Sequence, residues 1–113
     1  MALKLNVYKT VTAIASLTPT EIYTAPVGYS GIILLAQIAN ISPTSYDVSF
    51  YHKRPEISGD VTTEIVKGFP VSGNDTISLI GGKLVLESGD SLILSANNDS
   101  NLKLILSILE TLD

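Results

Sequence analysis

Residues 29–40 read YSGIILLAQIAN, and the run Ile32-Ile33-Leu34-Leu35 at their centre decides the fold. Four consecutive apolar residues place hydrophobic groups on both faces of a β-strand, as in a central strand that is buried on two sides. A helix is the competing interpretation of this run. Pro26 and Gly28 mark a turn before it, and residues 40–45 carry turn chemistry after it. We therefore expect a strand over residues 29–40.

Period-two alternation of apolar and polar residues continues on both sides of this segment. Near the start, Leu3, Leu5 and Val7 alternate with polar residues, as a half-buried strand requires. Residues 102–112 fit both period two and a helix, and we favour a strand because the preceding segments are all β. Gly81-Gly82 predicts a two-residue hairpin turn. The expected strands cover residues 3–14, 21–24, 29–40, 46–51, 61–66, 76–80, 83–87, 91–96 and 102–112.

These segments predict an all-β chain with one domain over residues 1–113, since no linker or internal repeat interrupts them. Eight or nine short strands at spacings of about 8 to 12 residues are typical of a β-sandwich. A jelly roll is the leading variant, and an immunoglobulin-like sandwich is the alternative.

Composition excludes several classes of partner. Only 16% of the residues are charged and 45% are hydrophobic, and the net charge is −4. A negative chain is a poor match for nucleic acid or for an anionic membrane surface. The longest apolar stretch, Ile32 to Ala36, is too short for a membrane-spanning helix, and the N-terminus lacks the apolar run of a secretory signal. The chain has no cysteine, so stability must come from packing or assembly.

Catalytic and metal-binding patterns are weak. His52 is the only histidine, and most carboxylates fall at turns and strand ends, where they are expected to be solvated. Asn97 to Asn101 offers oxygen ligands but lacks the ordered carboxylates of a calcium loop. We therefore expect a protein that is not an enzyme, with no catalytic residue, no cofactor and no metal. Five scattered tyrosines leave a host-glycan-binding module as an alternative.

Several predicted strands share apolar residues on both faces, namely those at 32–35, 84–86, 92–94 and 104–106. One face of each sheet in a two-layer sandwich should meet water, so a neighbouring subunit is the simplest cover for the second apolar face. The alternative is that these strands are central and covered by loops. We expect a homo-oligomer, and the candidate residues for contacts with another subunit or with a capsid are Ile33, Leu35, Val85, Ile93 and Ile105.

The order of these segments resembles small virion structural proteins of tailed bacteriophages, especially cyanophages. The resemblance lies in Glu21-Ile22-Tyr23-Thr24-Ala25-Pro26, in the apolar strand over residues 29–40 that ends at Ala39-Asn40, in Tyr46-Asp47-Val48-Ser49-Phe50, in residues 84–92 (LVLESGDSL) and in residues 104–110 (LILSILE). It covers residues 21–110 and includes no catalytic residue.

This resemblance implies a capsid decoration or cement protein, commonly a trimer on the head surface, that contacts the major capsid protein or other virion proteins. A neck, tail or fibre-associated protein is the second position it implies. The implied location is the virion, with the capsid surface favoured, after synthesis in the host cytoplasm.

Overall fold

A computed structural model describes residues 5–113, and all of the regular structure in this range is β. The predicted first strand therefore lies partly outside the described residues, since it included Leu3. The strands are β1 (Asn6–Ile14), β2 (Thr20–Thr24), β3 (Tyr29–Asn40), β4 (Tyr46–Arg54), β5 (Val61–Val71), β6 (Thr76–Ser78), β7 (Leu84–Leu86), β8 (Ser91–Ala96) and β9 (Leu102–Leu112). Both segments with a competing helical interpretation, 29–40 and 102–112, are strands.

The strands form two antiparallel sheets. The front sheet has the order β1-β9-β3-β6, with β7 also paired to β3, and the back sheet has the order β2-β8-β4-β5. The strand pairs are nested, because β1 pairs with β9, β2 with β8, β3 with both β6 and β7, and β4 with β5. A long hairpin folded over into two layers gives this order, which is that of a jelly roll. The predicted β-sandwich is confirmed, and the strand order differs from the immunoglobulin arrangement.

Nesting changes the role of several predicted turns. Gly81-Gly82 is not a hairpin turn, because β6 and β7 do not pair with each other but follow one another along the same edge of β3. Residues 41–45 cross from the front sheet to the back sheet. Among the described strands, only β4 and β5 form a hairpin between neighbours in the chain. Turn residues predict that the chain bends, but they do not determine which sheet the next strand joins. The turn residues alone therefore favoured hairpins at positions where the chain crosses to the other sheet or continues along the same edge.

Two strands extend further than their composition predicted. β4 continues through Lys53 and Arg54, and β5 continues through Gly68 and Pro70 to Val71. Gly68 has φ of 59°, and the pairing of β4 with β5 shifts register at two places. Bulges of this kind let an edge strand include glycine and proline without losing its pairing.

The core lies between the two sheets. Alternate residues of β3, β7 and β9 meet alternate residues of β4 and β8, so period two in each strand supplies one apolar face to a common interior. The largest fully buried apolar side chains are those of Ile33, Ile38, Val48, Phe50, Val71, Leu86, Leu92, Leu94, Leu102, Leu106 and Ile108.

A buried asparagine organises the crossing after β3. The Asn40 side chain is 2% exposed and donates hydrogen bonds to the carbonyl oxygens of Thr44 (2.7 Å) and Val71 (3.0 Å), while its Oδ1 accepts from Ser42. Gly73 packs against this crossing so closely that a Cβ there would lie 2.3 Å from the Pro43 carbonyl oxygen. The crossing therefore needs an amide at position 40 and no side chain at position 73.

Candidate assembly surface

At the centre of β3, the residues that point to the core change from odd-numbered to even-numbered positions. Ile33 and Ala36 are fully buried, whereas Leu34 and Leu35 between them are 38% and 36% exposed. The pairing with β9 advances from Ile33–Ile108 directly to Leu35–Ser107, so Leu34 is an extra residue in a β-bulge. A bulge breaks the period-two alternation. It therefore brings two consecutive leucines to the outer surface of the front sheet.

Other outward residues of the front sheet continue this apolar surface. Tyr8 lies opposite Leu109, Leu109 opposite Ile32, and Ile32 opposite Val85, so one apolar row crosses four strands. Directly opposed side chains have Cβ atoms about 5 Å apart and pack as a continuous surface. We call this surface the outer face, and its large apolar members are Tyr8, Ile14, Ile32, Leu34, Leu35, Val85, Ile105 and Leu109.

Several large apolar side chains of the outer face are well exposed to solvent. Tyr8 is 76% exposed, Val85 is 55% exposed and Ile105 is 40% exposed. Two open depressions lie along the β1–β9 pair, one lined partly by Ile14 and Ile105 and the other partly by Tyr8 and Leu34. Contiguous apolar surface of this kind, on a sheet that would otherwise show polar side chains to water, marks an interaction site.

Charge is nearly absent from the same surface. Among the described strands of the front sheet, alternation places Lys103 on the outer face as its one charged residue, while Thr10, Thr12, Gln37 and Ser107 supply neutral polar groups. Depletion of charge and enrichment in aromatic and aliphatic side chains distinguish the centre of a protein interface from ordinary surface. The outer face combines both properties.

The back sheet presents a different exterior. Glu21, Asp47, Lys53 and Glu64 lie on its outward side, and Ile93 sits directly between Glu21 and Tyr51 in the strand register. The Glu21 carboxylate accepts hydrogen bonds from the hydroxyls of Ser91 and Thr24, and these bonds lower its pKa. This polar exterior is typical of a sheet that faces solvent.

The structure thus separates the five residues that the sequence nominated for contacts. Leu35, Val85 and Ile105 share the outer face, whereas Ile93 lies on the opposite exterior. Ile33 is 0% exposed and belongs to the core, so it is not available to a partner in this fold. Ile33 and Leu35 would share one face of a regular strand, and the bulge at Leu34 places them on opposite faces instead.

Sequence reasoning missed three prominent members of the outer face, namely Tyr8, Leu34 and Leu109. Tyr8 and Leu109 become neighbours of Ile32 only through pairing between β1, β9 and β3. The signal that could have found Leu34 is the run of four apolar residues at 32–35, which is longer than strict alternation needs.

The lone histidine belongs to a cluster of polar side chains around the buried Asp90 carboxylate. His52 Nε2 lies 3.0 Å from Asp90 Oδ2, and Arg54 binds the same carboxylate through Nε (3.0 Å) and Nη2 (2.7 Å). Burial raises the pKa of Asp90, but the hydrogen bonds from Arg54, His52 and the Glu87 N–H outweigh it and hold that pKa at about 2. The cluster fastens the end of β4 to the turn between β7 and β8, where Gly89 has φ of 88°.

Side chains of the 97–101 loop accept hydrogen bonds from backbone N–H groups elsewhere in the chain. Asn97 Oδ1 accepts from the Asp47 N–H at 2.8 Å, and Asp99 Oδ1 accepts from the Leu17 N–H at 2.9 Å. Within the loop, Asn98 Oδ1 accepts a hydrogen bond from the side-chain Nδ2 of Asn101 at 2.7 Å. Residues 5–113 contain no cluster of three or more His, Cys, Asp or Glu side chains that could hold a metal.

The tyrosines point to different parts of the molecule. Tyr8 lies on the outer face, Tyr51 on the exterior of the back sheet, and Tyr23 and Tyr46 pack against the core. An aromatic groove for a sugar would need several of these rings on one surface. These four rings do not share one.

Residues 5–113 include no helix of the length and apolarity needed to cross a membrane. No protein-family model matches the sequence, and no curated protein matches it.

Two solved structures have a similar chain path. One comes from "Crystal structure of the T13 IBDV viral particle reveals a missing link in icosahedral viruses evolution", with a TM-score of 0.56 and 7% sequence identity. The match covers 96% of this chain and 31% of the viral chain. The other comes from "Bacillus endospore appendages form a novel family of disulfide-linked pili", with a TM-score of 0.42, 16% identity and coverage of 99% and 93%.

At 7% identity the first likeness concerns the fold alone, and this chain spans less than a third of the viral chain. This chain therefore has a β-sandwich fold that also occurs in a chain of an icosahedral virus particle.

Proposed function

We propose that this chain is a non-enzymatic structural protein of a virion, which assembles with other protein subunits through the outer face of its front sheet. The observation that carries the proposal is the coincidence of apolar exposure and charge depletion on that one surface. Val85, Ile32, Leu109 and Tyr8 form an uninterrupted apolar row across it. Burying such a row removes apolar area from water, which stabilises the assembly by about 25 cal/mol for each Å² of apolar area buried.

The polar groups inside the protein support a structural role. Asp90 is held by Arg54 and His52, and Glu110 is held by Tyr23 and Lys9. Asp90 thus joins the end of β4 to the turn between β7 and β8, and Glu110 joins β9 to β1 and β2. A catalytic carboxylate or histidine would need to face a substrate-sized cleft.

Within this role we favour a capsid decoration or cement protein, as the resemblance to phage virion proteins implies. The sandwich adds contact area between capsid subunits when its outer face lies against them, and that area stabilises the head. A closed oligomer follows from the same need to cover apolar surface, and the resemblance favours a trimer. A neck, tail or fibre position is the alternative within the same class.

The direct test is binding to phage heads. Expanded heads purified without this protein, from the phage that encodes the chain, would be mixed with the purified protein and separated on a density gradient. We expect saturable binding at a fixed number of copies per capsid subunit, and greater resistance of the decorated heads to heat. Ile105→Asp should abolish the binding, while Thr63→Asp on the back sheet should not.

The outcomes separate the positions. Binding to tails and not to heads would support the tail alternative. A protein that binds neither particle would contradict the proposed virion role.

A further inference from the structure

The strand β1 forms one edge of the front sheet. Within residues 5–113 it pairs with β9 alone, over nine residues and with no shift of register. An edge strand carries a second row of backbone N–H and C=O groups that another strand can bind.

The positions of these groups follow from the pairing. Leu112 N–H donates to the Leu5 carbonyl at 2.9 Å, and Ala15 N–H donates to the Leu102 carbonyl at 2.8 Å. Hydrogen-bonded pairs alternate in an antiparallel ladder, so the odd-numbered residues of β1 bond to β9. The even-numbered residues direct their backbone groups to the open edge, and these are Asn6, Tyr8, Thr10, Thr12 and Ile14.

The other sheet edges carry features that discourage pairing. β5 contains Gly68, Pro70 and two register shifts, and it adds the charges of Glu64 and Lys67. β2 is five residues long and irregular at Glu21, and β6 and β7 have three residues each. Short length, bulges, proline and charge are the means by which sheets prevent edge-to-edge association.

β1 has one of these protections, a single charge. It contains no glycine or proline, its ladder is regular, and its one charge is that of Lys9. The Lys9 ammonium lies 3.2 Å from Glu110 Oε2, so it is already paired within its own chain. Among the edges formed by the described strands, this one is the longest with a regular ladder.

We propose that β1 pairs antiparallel with β1 of a second copy of this chain about a two-fold axis at Thr10. This register lets all five even-numbered residues of each strand bond to the other, with about ten inter-chain hydrogen bonds. Thr10 lies opposite its own equivalent, and Tyr8 lies opposite Thr12 of the second copy, an aromatic and β-branched pair that stabilises sheets. The proposal rests on the proposed assembly role and supplies its first partner, and it gives a dimer in place of the trimer that the resemblance implies.

Self-pairing suits this strand better than pairing with an unrelated strand. Lys9 lies opposite Val11 of the second copy in this register, so like charges do not meet. The even-numbered residues of β1 also belong to the outer face, so the two outer faces join side by side into one apolar surface. Assembly through the edge therefore leaves the outer face free for a capsid.

Thr10 provides the test, because its N–H points away from β9. Thr10→Pro removes that donor from the open edge without removing a bond to β9, and Thr10→Lys places two ammonium groups opposite each other at the axis. Light scattering and sedimentation should find a dimer for the parent chain and a dissociation constant raised roughly a hundredfold for both variants. Circular dichroism should show that both remain folded. Thr63→Lys, at an exposed position of β5, is the matched control and should leave the dimer intact.

A cross-link tests the register. The chain has no cysteine, so Thr10→Cys introduces a single thiol that lies beside its equivalent in the proposed dimer. The Cα atoms of such a pair lie about 5.5 Å apart, within disulfide range. Mild oxidation should give a covalent dimer much faster than for Thr63→Cys.

Three results would overturn the proposal. The first is a parent chain that is monomeric at all concentrations, and the second is an oligomer that neither Thr10 variant weakens. The third is equal rates of cross-linking at positions 10 and 63. Binding to heads separates this result from the proposed function. A monomer that binds heads would overturn only the edge pairing, whereas a β1-paired dimer that binds no virion particle would overturn only the virion role.

Discussion

The Tyr23 hydroxyl donates a hydrogen bond of 2.6 Å to Glu110 Oε2, and so joins β2 of the back sheet to β9 of the front sheet. Both side chains are buried, and the Tyr23 ring lies against Gly31, where an added Cβ would be 2.9 Å from the hydroxyl oxygen. Burial and the neighbouring Glu110 carboxylate raise the pKa of Tyr23 above its usual value. The bond holds the two layers together at the end where the chain leaves β9.

Tyr23→Phe should lower the free energy of unfolding by about 1.5–3 kcal/mol, because it leaves a buried carboxylate without its phenolic donor. Urea unfolding at neutral pH measures this loss. Tyr51→Phe, on the exterior of the back sheet, is the control and should change stability by less than about 0.5 kcal/mol. Equal effects of the two substitutions would contradict the role of the bond.

Alkaline pH should act on the same bond. A group with a raised pKa in the folded state stabilises the protein fully below its unfolded pKa, and that contribution is lost as pH rises. The parent chain should therefore lose stability above about pH 10, the usual pKa of tyrosine. Tyr23→Phe should lose less over the same range, as measured by urea unfolding at a series of pH values. Parallel slopes for the two proteins would show that Tyr23 is not responsible.

Asp90 should make the protein sensitive to acid. Its pKa is lowered to about 2 in the folded state, so its ionised form stabilises the protein above the unfolded pKa near 4. That contribution is lost as pH falls from about 4 to 2. Asp90→Asn should lower stability by about 1–3 kcal/mol at pH 7 and should reduce the further loss in acid.

The control for Asp90 is Asp60→Asn, because the Asp60 side chain is half exposed and lies 3.6 Å from Lys53. A surface pair of this kind contributes little to stability. Denaturant unfolding between pH 7 and pH 2 compares the two variants. An Asp90→Asn protein as stable as the parent at pH 7 would contradict the structural role of the cluster.

Gly73→Ala should destabilise the crossing between the two sheets. The new methyl group would lie 2.3 Å from the Pro43 carbonyl oxygen and 2.4 Å from its carbon, and backbone cannot move aside as a flexible side chain can. We expect a loss of about 1–3 kcal/mol and a fall in Tm of several degrees. Gly81→Ala has open space at its Cβ and should leave Tm nearly unchanged. Thermal unfolding by circular dichroism distinguishes them.

Aspartate substitutions at three apolar positions should have three different effects. Ile105→Asp should keep the fold and abolish binding to phage heads, because Ile105 is exposed on the outer face. Ile93→Asp should affect binding less, since Ile93 lies on the exterior of the back sheet. Ile33→Asp should prevent folding, because it buries an unpaired charge. Circular dichroism and gradient sedimentation with heads measure the two properties, and loss of binding by Ile93→Asp alone would assign the contact to the back sheet.

Much of the fold could be predicted from local pattern. The ends of β3 and β8 follow directly from the apolar runs and the turns around them, and strand spacing favoured a jelly roll. The pairing partners could not be predicted so directly, because Gly81-Gly82 and residues 41–45 have hairpin chemistry while their flanking strands do not pair with each other. Turn residues determine local bends, and sheet membership depends on burial across the whole chain.

The sequence predicted that the protein would have a second apolar surface, but it identified only some of the residues that form it. Apolar residues on both faces of β3, β7 and β9 predicted a second buried surface, and the structure places Leu35, Val85 and Ile105 on one exterior. One inserted residue, Leu34, places Ile33 and Leu35 on opposite faces of β3. A bulge leaves little trace in composition, because the inserted leucine resembles its neighbours.

The nested order of the strands also determines when the outer face can exist during protein synthesis. β1 and β3 lie on either side of β9, so the apolar row through Tyr8, Leu109 and Ile32 requires residues from both ends of the described chain. A ribosome must therefore complete β9 before this surface forms, and pairing over so long a sequence separation is slow. If the chain assembles as proposed, newly made chains join a particle only after they have folded, which orders synthesis, folding and assembly in time.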